Sequence, residues 1–317
     1  MTAQLGWEAI IGLGHESTWG TPVARTRFIE KTVVTGGLKH PLLDRETIKG
    51  RSPVTPFRGA KLVDGSITSE LLYEGWEDLF YHFFGKKSVS TVDVTAQIHN
   101  FLCDDTLAMP VGLTVEVKYG SVVTELWEGC KVESVQLVAD IDKVLKATFR
   151  LVGQDISSTS PTSPTYPAAE AIIWNQIVLK KDTVSTPVVS LDLTMSNNYK
   201  LDRRALGNVA VLEHIPGRRS CKGKLVADFE NVTAWKNSFT GDTTHELQLQ
   251  ATGGIIAGSS PARSYEFRLT LPQIKIEAFD SPVNDDGIIR QEIGFAAHKA
   301  ASELAILVIT NLRATVP

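Results

Sequence analysis

The run Leu113-Thr114-Val115-Glu116-Val117-Lys118-Tyr119 decides the fold class. Apolar Leu113, Val115, Val117 and Tyr119 alternate with polar Thr114, Glu116 and Lys118, the period of a strand with one buried and one wet face. The same alternation returns in Leu145, Ala147, Phe149 and Leu151, and in Tyr265, Phe267, Leu269 and Leu271. Leu304 to Ile309 is continuously apolar and suits a strand covered on both faces. Helical periodicity is rare. Trp76, Leu79, Phe80 and Phe83 fall on one helical stripe, with Gly85 where a left-handed C-terminal cap belongs. A second short helix is predicted from Val232, Trp235 and Phe239, with Asn231 as N-cap and Gly241 as its stop. The chain therefore reads as mostly β.

Outward from these strands, Ser157 to Ala169 consists almost wholly of Ser, Thr, Pro and Ala, a composition that cannot bury a core. The sequences on its two sides resemble each other. Leu43-Asp44-Arg45 recurs as Leu201-Asp202-Arg203. Gly59 recurs as Gly217 and Gly65 as Gly223 at the same offset. Ile67, Ser69 and Leu71 match Leu225, Ala227 and Phe229, and Trp76 and Phe80 match Trp235 and Phe239. Further on, Leu113–Tyr119 is aligned with Tyr265–Leu271, and Leu145–Leu151 with Ile289–Phe295. A tripeptide, two glycines, a strand and an aromatic helix in one order point to tandem duplication. The expected fold is two tandem copies of a β-sandwich, each with one flanking short helix. The expected boundaries are an arm over residues 1–25, domains over 26–156 and 171–317, and a linker over 157–170.

Composition narrows the function. The chain has 317 residues, 43% hydrophobic and 21% charged, with a formal charge of −4. That balance gives no electrostatic reason for tight nucleic-acid binding. The cluster Arg218, Arg219, Lys222 and Lys224 has no interleaved aromatics and reads as a solvated strand face. Cys103, Cys130 and Cys221 are odd in number and far apart, which signals neither disulfides nor zinc. The seven histidines show no metal-ligand spacing and are expected on the surface or in loops. Gly12-Leu13-Gly14 lacks the third glycine of a dinucleotide loop, and neither a nucleophile elbow nor a phosphate loop is present. Asp285-Asp286-Gly287 has hairpin-turn chemistry, and Asn231-Val232-Thr233 reads as a helix start rather than a glycosylation site. No catalytic, cofactor or metal residues are expected, and no signal peptide or bilayer-spanning run is seen.

The stretch Gly12-Leu13-Gly14-His15-Glu16-Ser17-Thr18-Trp19-Gly20-Thr21-Pro22-Val23 resembles the opening of tail tube (major tail) proteins of long, non-contractile, siphovirus-type phages. Arg58-Gly59, Gly65-Ser66-Ile67 and the aromatic helix ending in Phe84-Gly85 are similar to that family as well. The resemblance is strongest over residues 1 to about 85. It implies a non-enzymatic virion protein, made in the bacterial host cytoplasm, that forms rings stacked into a tube for DNA passage. Pairing of inner strands between subunits would also cover exposed strand edges. Most members carry one unit and form hexamers, so duplication implies a homotrimeric, pseudo-hexameric ring, with a homohexamer as the alternative. Ring stacking would fall to the arm, including Trp19, and to Leu43, Asp44, Arg45, Leu201, Asp202 and Arg203. Tape-measure and terminator proteins would be partners, and genomic DNA would transit the lumen without specific binding; no membrane is involved. Two rival readings are a carbohydrate- or receptor-binding β-sandwich, which needs an aromatic and acidic loop cluster, and a β-rich hydrolase.

Overall fold

The computed structural model describes residues 8–30, 33–45, 55–91, 95–104, 109–120, 123–230, 235–283, 288–300 and 303–313. The first half runs β1 (Ile10–Glu16), β2 (Arg27–Ile29), β3 (Val33–Lys39), β4 (Leu42–Leu43), β5 (Phe57–Arg58) and β6 (Leu62–Glu70). It continues through α1 (Glu77–Phe84), β7 (Gly85–Thr91), β8 (Gln97–Asp104), β9 (Gly112–Tyr119), β10 (Val123–Asp140), β11 (Lys146–Gly153) and β12 (Asp155–Ser158). The second half runs β13 (Ile177–Lys181), β14 (Val184–Ser185), β15 (Ser190–Ser196), β16 (Ser220–Asp228) and α2 (Lys236–Thr240). Then follow β17 (His245–Ile255), β18 (Ser264–Asp280), β19 (Arg290–Ala297) and β20 (Glu303–Asn311). The protein is mostly β, and among the described residues the named strands pair antiparallel, with one isolated parallel bridge between Lys61 and Ala210.

One eight-stranded sheet organises the molecule, in the order β3-β6-β11-β10-β15-β16-β19-β18. Four neighbouring strands come from the first half and four from the second, in a repeating order. The two long strands β10 and β18 each bend away from it at an extra residue. The register slips between Val132 and Ser134 in β10 and between Ile276 and Ala278 in β18, so Glu133 and Glu277 are the inserted residues. Beyond the bends, their N-terminal parts join outer sheets, β2-β1-β9-β10-β12 and β14-β13-β17-β18-β20-β8-β7.

Alternation explains the core. Val63, Ile67, Val135, Leu137, Phe149, Leu191, Leu193, Leu225, Ile293 and Phe295 all point to the covered face and are buried. Helix α1 closes it. Trp76 stacks on Phe149 with ring centroids 5.6 Å apart and planes 5° apart, and Phe80 meets the same ring edge-on at 5.2 Å. Gly85, at φ 92°, caps the helix and donates to the Tyr81 carbonyl, as its position in the sequence implied. Glu77 and Asp78 in the first turn are fully buried. Arg313 bridges both, and His15 Nε2 lies 3.1 Å from Asp78. Burial pushes the Asp78 carboxyl up, but the His15 hydrogen bond and the Arg313 charge outweigh it and hold it down at about 2.

Several expectations change on contact with the structure. Residues 1–25 are not an arm throughout: Ile10–Glu16 is a core strand between β2 and β9, with Ile11 and Leu13 fully buried. The segment 157–170 begins inside β12, and Thr162 is tied to Glu116 and Arg25. Nor does it separate two bodies, because β10 pairs directly with β15 and the hairpin β7–β8 adds to the other half's sheet through β20. By strand pairing, Tyr265–Leu271 matches the first part of β10 rather than Leu113–Tyr119, because β18 pairs with β17 and β19 as β10 pairs with β9 and β11. Phe239 is 41% exposed, since α2 has five residues and ends at Gly241 without a left-handed turn. Asn231, Val232 and Asp285-Asp286-Gly287 lie outside the described residues.

Candidate assembly interface

The two halves of the chain join edge to edge through β10 and β15. Seven residue pairs connect β10 to β15, among them Ser134 opposite Ser196, Val135 opposite Met195, Leu137 opposite Leu193 and Ala139 opposite Leu191. These apolar pairs are buried. After β15 the chain makes an excursion, Asn197 to Arg219, which folds back on the first half. The bulge residue Glu133 receives its start. The Glu133 carbonyl accepts from Asn197 N–H at 2.8 Å, and its carboxylate accepts from Tyr199 N–H at 2.9 Å and from the Ser196 hydroxyl at 3.2 Å. Lys131 pairs with Glu213 at 2.7 Å and lies against the Tyr199 ring. Tyr199 is only 6% exposed, and that burial pushes its hydroxyl well up. Farther along, Lys61 N–H donates to the Val209 carbonyl at 2.8 Å, and His214 is buried beside Gly153 and Trp19.

The two ends of the eight-stranded sheet have no such cover. Among the described residues β3 pairs only with β6, and Lys275–Asp280 of β18 only with β19. The apolar side chains there are out of place for a finished surface. Leu38 is 40% exposed and Val283 is 72% exposed, while Phe279 is half-buried against Phe239. The first excursion, which follows β3, carries β4 and β5, and its Leu42 is 56% exposed.

On its other face the eight-stranded sheet is polar, and its charges are matched across strands. Asp64 takes Lys39 and Arg150, Gln136 takes Asp192, and Lys222, Lys224 and Arg290 pair with Glu277, Glu292 and Asp228. Burial pushes the Asp64 carboxyl up, but hydrogen bonds from Arg150 and Lys39 outweigh it and hold it below its ordinary range. Arg219 instead turns inward to Asn197 and the Phe84 carbonyl. Lys222 and Lys224 of the basic cluster are thus balanced by acids.

The residues singled out from sequence take different places. Trp19 is half-buried within its own chain: its Nε1 donates to the Gly129 carbonyl at 2.9 Å and its ring meets His214 edge-on. Glu16 explains the glycines around it. Its carboxylate accepts from the N–H groups of Gly20 and Gly129, at 2.8 and 2.9 Å, and both glycines have positive φ. The motif is therefore a turn lock. Leu43, Asp44 and Arg45 are exposed at the tip of β4, with the Arg45 guanidinium 5.3 Å over the Phe57 ring. Leu201 and Arg203 are half-buried and Asp202 exposed; Arg203 donates to the Glu213 carbonyl. No hydrogen bond, ion pair or ring contact joins the two tripeptides among the described residues. Sequence reasoning missed Glu133 and Glu277, although Lys131-Val132-Glu133 recurs as Lys275-Ile276-Glu277. It also placed the histidines outside, whereas His82, His99 and His214 are buried. Cys103, Cys130 and Cys221 are buried and in no disulfide. Among the described residues no three His, Cys, Asp or Glu side chains gather as metal ligands would, and no helix is long and apolar enough to cross a membrane.

The chain is β-rich, and among the described residues its eight-stranded sheet has two unpaired ends; comparison gives its family. The family model described as phage tail tube protein matches residues 6–297, so the chain belongs to that family. The match runs far beyond the region of strongest resemblance, through the Ser/Thr/Pro segment and into the second half. No curated protein matches the chain. Membership makes the chain a structural component of a phage tail that associates with itself in a tube.

Proposed function

We propose that the chain is two tandem copies of one tail tube unit, and that three chains close into a pseudo-hexameric ring. The rings then stack into the DNA conduit of a long, non-contractile tail. The observation that carries this reading is the β10–β15 junction. It joins two four-stranded units edge to edge within one chain, and each end of the resulting sheet repeats one half of that junction. β3 stands at one end as β15 stands against β16, and β18 at the other as β10 stands against β11. Each chain can therefore extend the sheet from its β18 edge to the β3 edge of the next chain. Strand edges of this kind pair with another chain unless covered. In such a ring the polar face of the eight-stranded sheet lines the lumen. A surface of hydroxyls and mutually paired charges offers DNA phosphates no surplus of cations to grip, which suits transit.

Negative-stain electron microscopy of the purified, concentrated protein tests the proposal. Hollow tubes or stacked rings whose averages hold three chains per ring are expected. Discrete monomers at every salt and protein concentration would overturn it, and six chains per ring would overturn the trimer.

A further inference from the structure

Resting on that ring reading, we infer that Glu277 is the anchor between chains: it holds the start of the neighbouring chain's first excursion, at Lys39, His40 and Leu42. The inference comes from the one place where the same contact is already made. Glu133 is the bulge residue of β10, in the sequence Lys131-Val132-Glu133, and it receives Ser196, Asn197 and Tyr199. Glu277 is the bulge residue of β18, in the sequence Lys275-Ile276-Glu277. It sits at the open end of the sheet, its carboxylate about half exposed and touching Lys222 at 3.0 Å.

The occupant follows from the register. Lys39 lies opposite Leu62 on β6 as Ser196 lies opposite Ser220 on β16, so Lys39 stands where Ser196 stands; carrying the chain on from there puts His40 at the place of Asn197 and Leu42 at that of Tyr199. Carried over from β10–β15, the pairing sets Ala278 opposite Lys39, Phe279 opposite Leu38 and Asp280 opposite Gly37. The chemistry agrees at each point. The His40 N–H reaches the Glu277 carbonyl, and the Leu42 N–H reaches its carboxylate. The hydroxyl of Ser196 is replaced by the Lys39 ammonium, which within its own chain pairs with Asp64; Arg150 holds the same Asp64, so the ammonium can turn to the Glu277 carboxylate without leaving Asp64 uncompensated. Leu42 takes the place of the buried Tyr199 and is covered by the stem of Lys275, whose ammonium is turned to Asp242 at 2.9 Å. Leu38 meets Phe279 as Met195 meets Val135. The first excursion thereby acts sideways, within one ring, at its base, and only its tip at Asp44 and Arg45 is left to face another ring.

Thiol crosslinking and charge exchange test this. Because the native cysteines are buried, Lys39→Cys and Ala278→Cys chains can be mixed, assembled and treated with a short bis-maleimide, which adds to one thiol at each end. Crosslinked dimers are expected in the mixture and in neither variant alone, and the double variant should give a ladder that stops at three chains. Separately, Glu277→Lys should lower tube yield at least tenfold, and Lys39→Glu with Glu277→Lys should restore it. Tubes without these crosslinks, a ladder running past three, or Glu277→Lys assembling as well as the native chain would overturn the anchor while leaving the tube reading intact. Absence of tubes from the native protein would remove both.

Discussion

Leu38→Asp separates assembly from folding. Leu38 lies on the open β3 edge and is 40% exposed, so the folded chain gains only part of its burial energy from it. Complete burial of a leucine is worth about 1.5–3 kcal/mol, which leaves roughly 1 kcal/mol to be gained when a second chain covers the side chain. An aspartate there forfeits that gain and adds an unpaired carboxylate opposite Phe279, at a cost of several kcal/mol after relaxation. A junction weakened by about 4 kcal/mol should raise the critical concentration for tube formation on the order of a thousandfold, at tenfold per 1.4 kcal/mol. The isolated chain should hardly notice. An exposed edge substitution changes stability by about 1 kcal/mol or less. Met195, in the same place at the internal junction, is 1% exposed. Met195→Asp should therefore unfold the chain, losing more than about 4 kcal/mol. Pelleting across a concentration series gives the critical concentration, and urea titration gives the stability. Leu38→Asp chains that pellet like the native protein would refute the edge assignment, and loss of their native fold would refute the claim that β3 is an outer edge.

Other expectations are quickly checked. Trp76→Ala removes the ring stacked on Phe149 and should cost about 3–5 kcal/mol in urea unfolding. Glu16→Ala leaves the Gly20 and Gly129 N–H groups without their acceptor; about 1–3 kcal/mol should be lost per buried donor, with faster proteolysis between Ser17 and Thr26. Arg313→Leu strands two buried carboxylates and should cost about 3–5 kcal/mol at neutral pH. Because the folded Asp78 pKa lies below its ordinary 3.8, near 2, its stabilisation is present above about pH 4 and lost as pH falls toward 2. The gap between native and Arg313→Leu unfolding energies should narrow through that window.

Local physics was legible wherever it alone decides the structure. The alternating runs became β9, β11, β18 and β19, and the stripe ending at Gly85 became α1. Leu304–Ile309 became β20, held between β18 and β8 as its apolar run implied. What stayed hidden depends on which strands meet. Gly12-Leu13-Gly14 shows in the sequence only as an incomplete dinucleotide-loop pattern and a piece of the family resemblance; in the structure its glycines let β1 lie close under Phe28 and Ala24. The hairpin β7–β8 gives no sign in its own residues that it will join the other half. Glu133 and Glu277 look like ordinary surface acids until a bulge is known to aim them. The excursion residues were readable as a repeated element, but the sequence treats its two copies alike. Only the fold shows that Leu201 and Arg203 pack within the chain while Leu43, Asp44 and Arg45 stand exposed.

Two open strand edges on one chain pose a hazard, because edges accept any strand that fits. The chain narrows the choice. β3 offers Gly36-Gly37, which present no side chains, and ends in a cation at Lys39. β18 ends in Glu277, Asp280 and, two residues on, Pro282, which lacks an N–H and stops the ladder. On the ring reading, β18 against β3 matches charge, bulge and apolar pair at once. If the two halves are copies of one unit, as proposed, duplication changes the thermodynamics of closure. On the ring reading, six junctions close a ring, and in three of them the partner is part of the same chain. Those three form during folding and escape the translational and rotational cost of association, which a ring of six separate chains would meet at every contact. The remaining three can be individually weak and still close, because the last joins ends already held together. A junction of modest strength with strict register is what a tube needs to grow without trapping misaligned chains, and it places the control of growth on Glu277 and the β3 edge rather than on the core.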